Sequence, residues 1–180
     1  MSVPNILTSL RIILIPLFVM AYSYNEFTLA AVLFILASLT DLLDGFLARI
    51  TGQESKLGAL LDPLADKLLL LSAFSLLFYR GIVPLWVLIT VMSKDVLVVC
   101  GWMIRYFLTR SYSAPPSILG KVATFAQVVA ITAILLGHLL ASVHTVSYRL
   151  LVISAVLTAL SMLDYLYRGL RELENRTGKS

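Results

Sequence analysis

Four aspartates stand close together in a chain that is otherwise strongly apolar. Asp41 and Asp44 are three residues apart, and Asp62 and Asp66 are four apart, within DLLDGFLARITGQESKLGALLDPLADK. If both flanks are helical, each pair projects from one helical face. Carboxylates gathered in a nonpolar setting repel one another and resist ionisation, and bound divalent cations remove that cost. The spacing therefore predicts a metal site formed by these four aspartates.

The residues around the aspartates suit a phosphate ligand. Carboxylate oxygens are hard ligands for magnesium, manganese or calcium, and two metal ions about 3.5–4 Å apart can clamp a pyrophosphate. Gly45, Ala48 and Gly58 are small residues that let a ligand or a neighbouring helix approach closely. Arg49 supplies a planar, permanently charged group for phosphate. We interpret the stretch 41–67 as a site for a nucleotide diphosphate held by metal ions.

The composition indicates an integral membrane protein. Of the 180 residues, 59% are hydrophobic and 13% are charged, whereas a soluble domain carries roughly 25% charged residues. Apolar runs of about 20 residues, the length of a membrane-spanning helix, recur along the chain. The first run lacks the features of a signal peptide, so we expect it to remain as a span. We expect one membrane domain over 1–180, with a charged tail at about 170–180 that leaves the membrane.

Six helical spans position the acidic stretch, so the predicted fold is an all-α transmembrane bundle. We expect the spans at about 4–22, 28–50, 57–79, 85–108, 117–140 and 147–167. The first span carries Asn5, Thr8 and Arg11 at intervals of three residues, which places them on one side of that helix. We expect Arg11 to line a polar site there and consider snorkelling to the surface the alternative.

The basic residues predict the orientation of this bundle. Six spans put both termini on one side, and the loops on the opposite side carry Arg80 and Arg149. Because cytoplasmic segments are enriched in Lys and Arg, both termini and the acidic stretch are assigned to the cytoplasm. The basic residues on that side are Arg11, Arg49, Lys56, Arg105, Arg110, Lys121, Arg168, Arg171, Arg176 and Lys179.

The acidic stretch also carries a known signature at every fixed position. The chain resembles the CDP-alcohol phosphatidyltransferases, whose signature is D-x2-D-G-x2-A-R-x8-G-x3-D-x3-D. The resemblance continues in PNILTSLR, DPLADK and GKVATFAQ, and so covers most of the chain. The fixed positions are Asp41, Asp44, Gly45, Ala48, Arg49, Gly58, Asp62 and Asp66.

The resemblance implies a six-helix enzyme of the cytoplasmic membrane, usually a homodimer, with its active site at the cytoplasmic face. Such enzymes transfer phosphatidate from CDP-diacylglycerol to an alcohol and release CMP. By match to the motif, Asp41, Asp44 and Asp62 would hold two Mg²⁺ or Mn²⁺ ions. Asp66 would complete that site and act as the catalytic general base. We expect no organic cofactor and no nucleic-acid partner.

The resemblance also implies a pocket for the CDP group of the donor. By match to the motif, the residues that would form it are Gly45, Ala48, Arg49 and Gly58, with Asn5 and Thr8 nearby.

The fourth helix leaves the alcohol acceptor open. Phosphatidylglycerophosphate synthases, which this chain resembles throughout, carry an R-E segment followed by T-G-L-R there. Lys94 and Asp95 retain the charge types of the first segment, but Trp102 takes the place of the second arginine. This change removes positive charge that a glycerol phosphate would need, although Arg105 lies one turn further on and can substitute.

The fifth helix shows a second departure of the same kind. The G-K-x-K-T motif of these synthases is present here with Lys121 but with Ala123 in place of its second lysine. Both departures also look similar to the cardiolipin synthases of this superfamily, whose acceptor is phosphatidylglycerol. We expect glycerol 3-phosphate as acceptor, bound by Lys94, Arg105 and Lys121, with phosphatidylglycerol as the alternative.

A cation-coupled membrane transporter is the alternative from another functional class, because intramembrane carboxylates often mark ion paths. Such transporters tend to show repeated halves, and no internal repeat is evident in this sequence. His138 and His144 flank the predicted outer loop, far from the acidic stretch, and we expect them at the interface rather than as ligands. Lys94 and Asp95 are equally consistent with an ion pair to another helix and with a supporting role at the site.

Overall fold

The computed structural model is helical throughout the part that it describes. The backbone is described for residues 3–51, 58–109, 117–138 and 143–177, and side chains for 10–40, 67–101, 117–138, 143, 146–169 and 171. Across these ranges there is no β-strand, so the all-α prediction is confirmed. The helices are α1 (Val3–Ser23), α2 (Phe27–Thr51), α3 (Gly58–Tyr79), α4 (Leu85–Thr109), α5 (Ile118–Gly137) and α6 (His144–Thr177).

The helix bounds agree with the predicted spans to within three residues for α1 to α5. The sixth helix differs, because it continues through most of the charged tail to Thr177. Its last turns are rich in Arg, Leu and Glu, which are strong helix formers. Asp164 also accepts a hydrogen bond from Arg168 at 2.9 Å, an i, i+4 pair that supports the helix. The loops predicted at 51–56 and 109–116 fall largely outside the described residues.

The described helices bury many small side chains together with some large apolar ones, and they leave many other large apolar side chains exposed. Phe18, Phe34 and Phe74 are fully buried, whereas Ile13 and Leu163 are more than half exposed. Small side chains at the contacts allow close approach of helices, as in membrane bundles, while an exposed apolar surface suits hydrocarbon. The buried alanines are Ala21, Ala30, Ala31, Ala37, Ala73, Ala123, Ala130, Ala133 and Ala155.

The helix lengths fit a membrane bundle. Among the described residues, two segments are long and apolar enough to cross a membrane, Ile118–Gly137 and Val146–Gly169. The other four helices contain 21, 25, 22 and 25 residues. At 1.5 Å per residue, each helix is about 30 Å or longer, close to the thickness of a hydrocarbon core.

An aromatic cluster closes the end of the bundle where α1 and α3 terminate. His138, the C-cap residue of α5, stacks on Phe27 at 4.3 Å between ring centroids, and its Nε2 lies 3.2 Å from the Tyr22 hydroxyl. Arg80 donates a hydrogen bond to the Ser23 carbonyl at 3.0 Å and so satisfies a terminal acceptor of α1. His138 therefore has a packing partner on α2, at the opposite end of that helix from Asp41 and Asp44.

Gly101 lets α4 and α6 approach closely. A Cβ atom at this position would overlap the Tyr165 hydroxyl and lie 2.8 Å from two of its ring carbons. The Tyr165 hydroxyl donates to the Val98 carbonyl at 3.4 Å, one turn earlier on α4. The contact between these helices therefore depends on glycine at 101.

We predict that Gly101→Ala destabilises the protein by about 1–3 kcal/mol, because Tyr165 must move to make room for a methyl group. The midpoint of thermal unfolding in detergent measures the effect. Gly169→Ala is the matched control, since nothing lies within 4 Å of its added Cβ. Alanine at 169 should be neutral or should stabilise α6 by about 0.5–1 kcal/mol. Equal unfolding midpoints for Gly101→Ala and the wild type would contradict the packing argument.

Candidate functional site

The two aspartate pairs lie on consecutive helices that contact each other. Asp41 and Asp44 belong to the last half of α2, and Asp62 and Asp66 to the first half of α3. Six residues join these helices, so the two segments lie at the same end of the bundle. Both pairs therefore have the helical flanks that the spacing argument required. The side chains of residues 41–66 lie outside the described residues.

The remaining predicted donor-site residues also fall on helical backbone. Asn5 and Thr8 belong to α1, Gly45, Ala48 and Arg49 to α2, and Gly58 begins α3. Their side chains are likewise outside the described part of the structure.

An ion pair next to the acidic stretch joins α3 to α4. Lys67, which directly follows Asp66, donates from Nζ to Asp95 Oδ1 at 2.6 Å. The two side chains are 28% and 19% exposed. Partial burial reduces solvent screening and makes such a pair worth more than one on an open surface. The sequence left Asp95 between an ion pair with another helix and a supporting role at the site. The structure contains the ion pair.

A buried lysine joins α4 to α5 beside that ion pair. Lys94 is only 5% exposed, and its Nζ donates to Thr124 Oγ1 at 3.0 Å. The Thr124 hydroxyl in turn donates a hydrogen bond to the Gly120 carbonyl at 3.1 Å. An ammonium this buried needs negative charge nearby to offset its desolvation. The acidic stretch is the concentration of negative charge that the sequence places at this end of the bundle.

Arg11 is a second fully buried cation. It lies on α1, one turn beyond Thr8, and its burial excludes the interpretation that it snorkels to the surface. A buried guanidinium is tolerated where polar and negative groups compensate it. Its burial agrees with the prediction that this face of α1 lines a polar site.

The predicted acceptor residues are spread over two helices. Lys94 and Arg105 are both on α4, eleven residues apart, which is about 16 Å along the helix axis. The side chain of Arg105 lies outside the described residues. Lys121 is exposed in the first turn of α5, three residues before the Thr124 that binds Lys94. The structure thus brings Lys94 toward Lys121 and leaves the backbone of Arg105 three turns away from Lys94.

A buried polar seam between α5 and α6 was not predicted as part of the site. Gln127 is 1% exposed and donates from Nε2 to Thr158 Oγ1 at 2.8 Å. Thr158 donates in turn to the Ser154 carbonyl at 2.6 Å. No described residue donates to Gln127 Oε1, which is also buried. Leaving such an acceptor unsatisfied costs about 1–3 kcal/mol.

The sequence carried a signal for this seam. Polar or small residues recur at helical spacing on α5 at 120, 124 and 127, and on α6 at 154, 158 and 161. Each set marks one helix face. The spacing alone does not show that the two faces meet.

An apolar groove of about 100 Å³ opens between α3 and α4 beside the Lys67–Asp95 pair. Its polar end is the ion pair, and the rest of its wall is hydrocarbon. The groove therefore suits an alkyl chain better than a polar ligand. The apolar residues that line it are Leu71, Phe74, Leu88, Val91, Met92 and Val96.

Comparison with known proteins agrees with the motif. The family model described as CDP-alcohol phosphatidyltransferase matches residues 1–162. A probable phosphatidylglycerophosphate synthase of Mycobacterium tuberculosis is 33% identical over 178 residues, covering 96% of this chain and 83% of the relative. Proteins of Shigella flexneri and Escherichia coli named CDP-diacylglycerol--glycerol-3-phosphate 3-phosphatidyltransferase are 38% identical over 176 residues, covering 92% of this chain and 93% of each relative. The resemblance inferred from the motif is confirmed.

We predict that Lys67 and Asp95 stabilise each other by about 1–3 kcal/mol, because the pair is short and partly buried. A double-mutant cycle with Lys67→Met and Asp95→Asn, read by thermal unfolding, gives this coupling energy. The Arg168–Asp164 pair, whose arginine is 62% exposed, is the control and should give about 0.5 kcal/mol or less. Equal coupling energies for the two pairs would show that the Lys67–Asp95 contact is no more than a surface pair.

Proposed function

The chain belongs to the CDP-alcohol phosphatidyltransferase family, and on that premise we propose that it transfers a phosphatidyl group from CDP-diacylglycerol to glycerol 3-phosphate, releasing CMP. The observation that carries the proposal is the complete eight-residue signature, divided between the adjoining ends of α2 and α3. The relatives that are 33% and 38% identical over most of this chain are named for this reaction. The reaction makes the protein an enzyme of phospholipid biosynthesis.

In this proposal the four aspartates hold two divalent cations, Mg²⁺ or Mn²⁺. The donor set fits, because Asp41 and Asp44 and likewise Asp62 and Asp66 are spaced one turn apart on continuous helices. Carboxylate oxygens are the ligands that these ions prefer. When bound, the ions neutralise the pyrophosphate of the donor and the charge that develops on CMP.

The protein's own residues orient the donor and move the proton. Arg49 supplies a fixed positive charge for phosphate, and Gly45, Ala48 and Gly58 leave room for the CDP group, with Asn5 and Thr8 nearby.

Asp66 accepts the proton of the acceptor hydroxyl as that oxygen bonds to the phosphorus bearing the diacylglycerol. The bond from this phosphorus to the oxygen of CMP breaks, and CMP leaves with the electron pair. Lys67, held by Asp95 at 2.6 Å, fixes the helix turn that carries Asp66.

The enzyme is proposed to span the cytoplasmic membrane six times, with both termini and the active site at the cytoplasmic face. The apolar exterior and the helix lengths support the membrane location. The distribution of Lys and Arg supports the orientation. We also propose that the enzyme is a homodimer, as the family resemblance implies.

Phosphatidylglycerol is the second candidate acceptor. Lys94 is buried and bound to Thr124, and Ala123, which replaces the second lysine of the acceptor motif, is fully buried. Trp102 replaces an arginine as well. A phosphodiester carries one negative charge where glycerol 3-phosphate carries nearly two, so a site with fewer free cations favours the lipid more than a fully basic site would.

We predict that Asp62→Asn and Asp66→Asn each lower metal-dependent CMP release from CDP-diacylglycerol by at least about 10³-fold, because the first removes a metal ligand and the second removes both a metal ligand and the general base. Chelation should abolish the wild-type rate and added Mg²⁺ or Mn²⁺ should restore it. Asp164→Asn, outside the proposed centre, should retain activity. Full activity in both site variants would refute the site. Ion flux in liposomes without lipid turnover would favour the transporter alternative.

The acceptor is identified by supplying glycerol 3-phosphate, phosphatidylglycerol and inositol phosphate separately and determining the lipid product. We expect phosphatidylglycerophosphate from glycerol 3-phosphate and no product from inositol phosphate. Lys121→Met should raise the KM for glycerol 3-phosphate about tenfold and leave the KM for CDP-diacylglycerol unchanged, because only the acceptor loses a cation. Cardiolipin as the sole product would assign phosphatidylglycerol as the acceptor.

A further inference from the structure

We propose that Gln127 Oε1 accepts a hydrogen bond from the secondary hydroxyl of the acceptor's glycerol unit and so selects glycerol-type acceptors. The inference rests on the proposed phosphatidyl transfer. It does not depend on which of the two acceptors is used. Glycerol 3-phosphate and the head group of phosphatidylglycerol share the same unit, a reacting hydroxymethyl group beside a secondary alcohol.

The hydrogen bonds at Thr158 determine which atom of the Gln127 amide lacks a hydrogen-bond partner among the described residues. The Thr158 hydroxyl has one proton and donates it to the Ser154 carbonyl at 2.6 Å. The atom 2.8 Å from Thr158 Oγ1 must therefore be a donor, which is Nε2 of Gln127. Oε1 is then the buried atom that lacks a donor among the described residues.

An amide oxygen limits the chemistry of the group that it can bind. It accepts hydrogen bonds and repels phosphate and carboxylate oxygens, so its partner must carry a proton to donate. A neutral hydroxyl fits this requirement. The phosphates of the donor and the aspartates present acceptor oxygens only, so the partner is a hydroxyl of the alcohol substrate or of the donor's ribose. The position of Gln127 on the same helix as Lys121 favours the alcohol.

Gln127 also lies close to the residues expected to bind the acceptor. It follows Thr124 by three residues on α5, about 4.5 Å along the axis, and Thr124 holds the Lys94 ammonium at 3.0 Å. Lys121 is six residues before Gln127 and nearer the cytoplasmic end of the helix. An acceptor whose phosphate meets the lysines would extend its glycerol unit along α5 toward Gln127.

Association of α5 with α6 explains only one of the two polar atoms of the Gln127 amide. The bond from Nε2 to Thr158 joins α5 to α6, as polar groups often do between apolar helices. It makes no use of Oε1. Buried polar atoms are satisfied as a rule, so the remaining acceptor indicates a ligand or a bound water.

The experiment compares each acceptor with an analogue that lacks only the secondary hydroxyl. Glycerol 3-phosphate is paired with 3-hydroxypropyl phosphate, and phosphatidylglycerol with phosphatidyl-1,3-propanediol. The ratio of kcat/KM values within each pair is measured by CMP release. We expect the wild type to prefer the glycerol compound by about tenfold or more in the pair that it uses, as sites built for a hydroxyl do.

The double variant Gln127→Met/Thr158→Val tests the residue. Replacing both partners by apolar groups of similar shape leaves no unpaired group in the seam. We expect the preference to fall below about threefold, through a change in the glycerol compound alone. Thr158→Ser is the control, because it keeps the hydroxyl that orients the Gln127 amide and removes only a methyl group. It should retain the preference.

Several results would overturn the inference. They are a wild type without preference, a double variant with unchanged preference, and a loss in Thr158→Ser as large as in the double variant. A lower unfolding midpoint with unchanged preference would assign Oε1 to a structural water. If the double variant does not fold, Gln127→Asn, whose amide is one methylene shorter, should reduce the preference. Absence of CMP release with every acceptor would refute the proposed function and this inference with it.

Discussion

The structure depends on how an apolar bundle compensates buried positive charge. Lys94 and Asp95 are neighbours on α4 and point about 100° apart, so each can reach a different helix. Asp95 pairs with Lys67 on α3, and Lys94 binds Thr124 on α5. Three helices are thereby tied together beside the end that carries the aspartates. Because buried cations require compensation, these bonds hold both lysines in place between the helices.

In the part of the chain whose side chains are described, several hydroxyl groups find their hydrogen-bond partners within their own helix. Ser38 donates to Phe34, Ser72 to Leu68 and Thr90 to Trp86, each to the carbonyl four residues earlier. Such bonds satisfy a hydroxyl within its own helix and let it lie in an apolar environment. Lysine and glutamine cannot be satisfied this way. Their burial therefore requires a partner outside their own helix, whereas the burial of a serine or threonine does not.

Local patterns predicted the helices well, because apolar periodicity is a property of neighbouring residues. Contacts between distant helices were beyond that reasoning. Gln127 donates a hydrogen bond to Thr158, which is 31 residues later in the sequence, and Gly101 packs against Tyr165 of α6. The sequence left Lys94 and Asp95 between two roles because it does not say which helix faces α4. The helical tail beyond 167 was missed because its charge indicated exit from the membrane, and charge does not exclude a helix.

The proposed mechanism assigns the reaction and the choice of acceptor to different helices. The signature lies on α2 and α3, whereas Lys94, Lys121 and Gln127 lie on α4 and α5. Substitutions on α4 and α5 can change the charge and hydrogen-bonding groups offered to an alcohol without removing an aspartate. Ala123 and Trp102 are changes of this kind. Under this proposal one phosphoryl-transfer centre can serve different alcohols, while the Lys67–Asp95 pair joins the helix that carries Asp66 to the helix that carries Lys94.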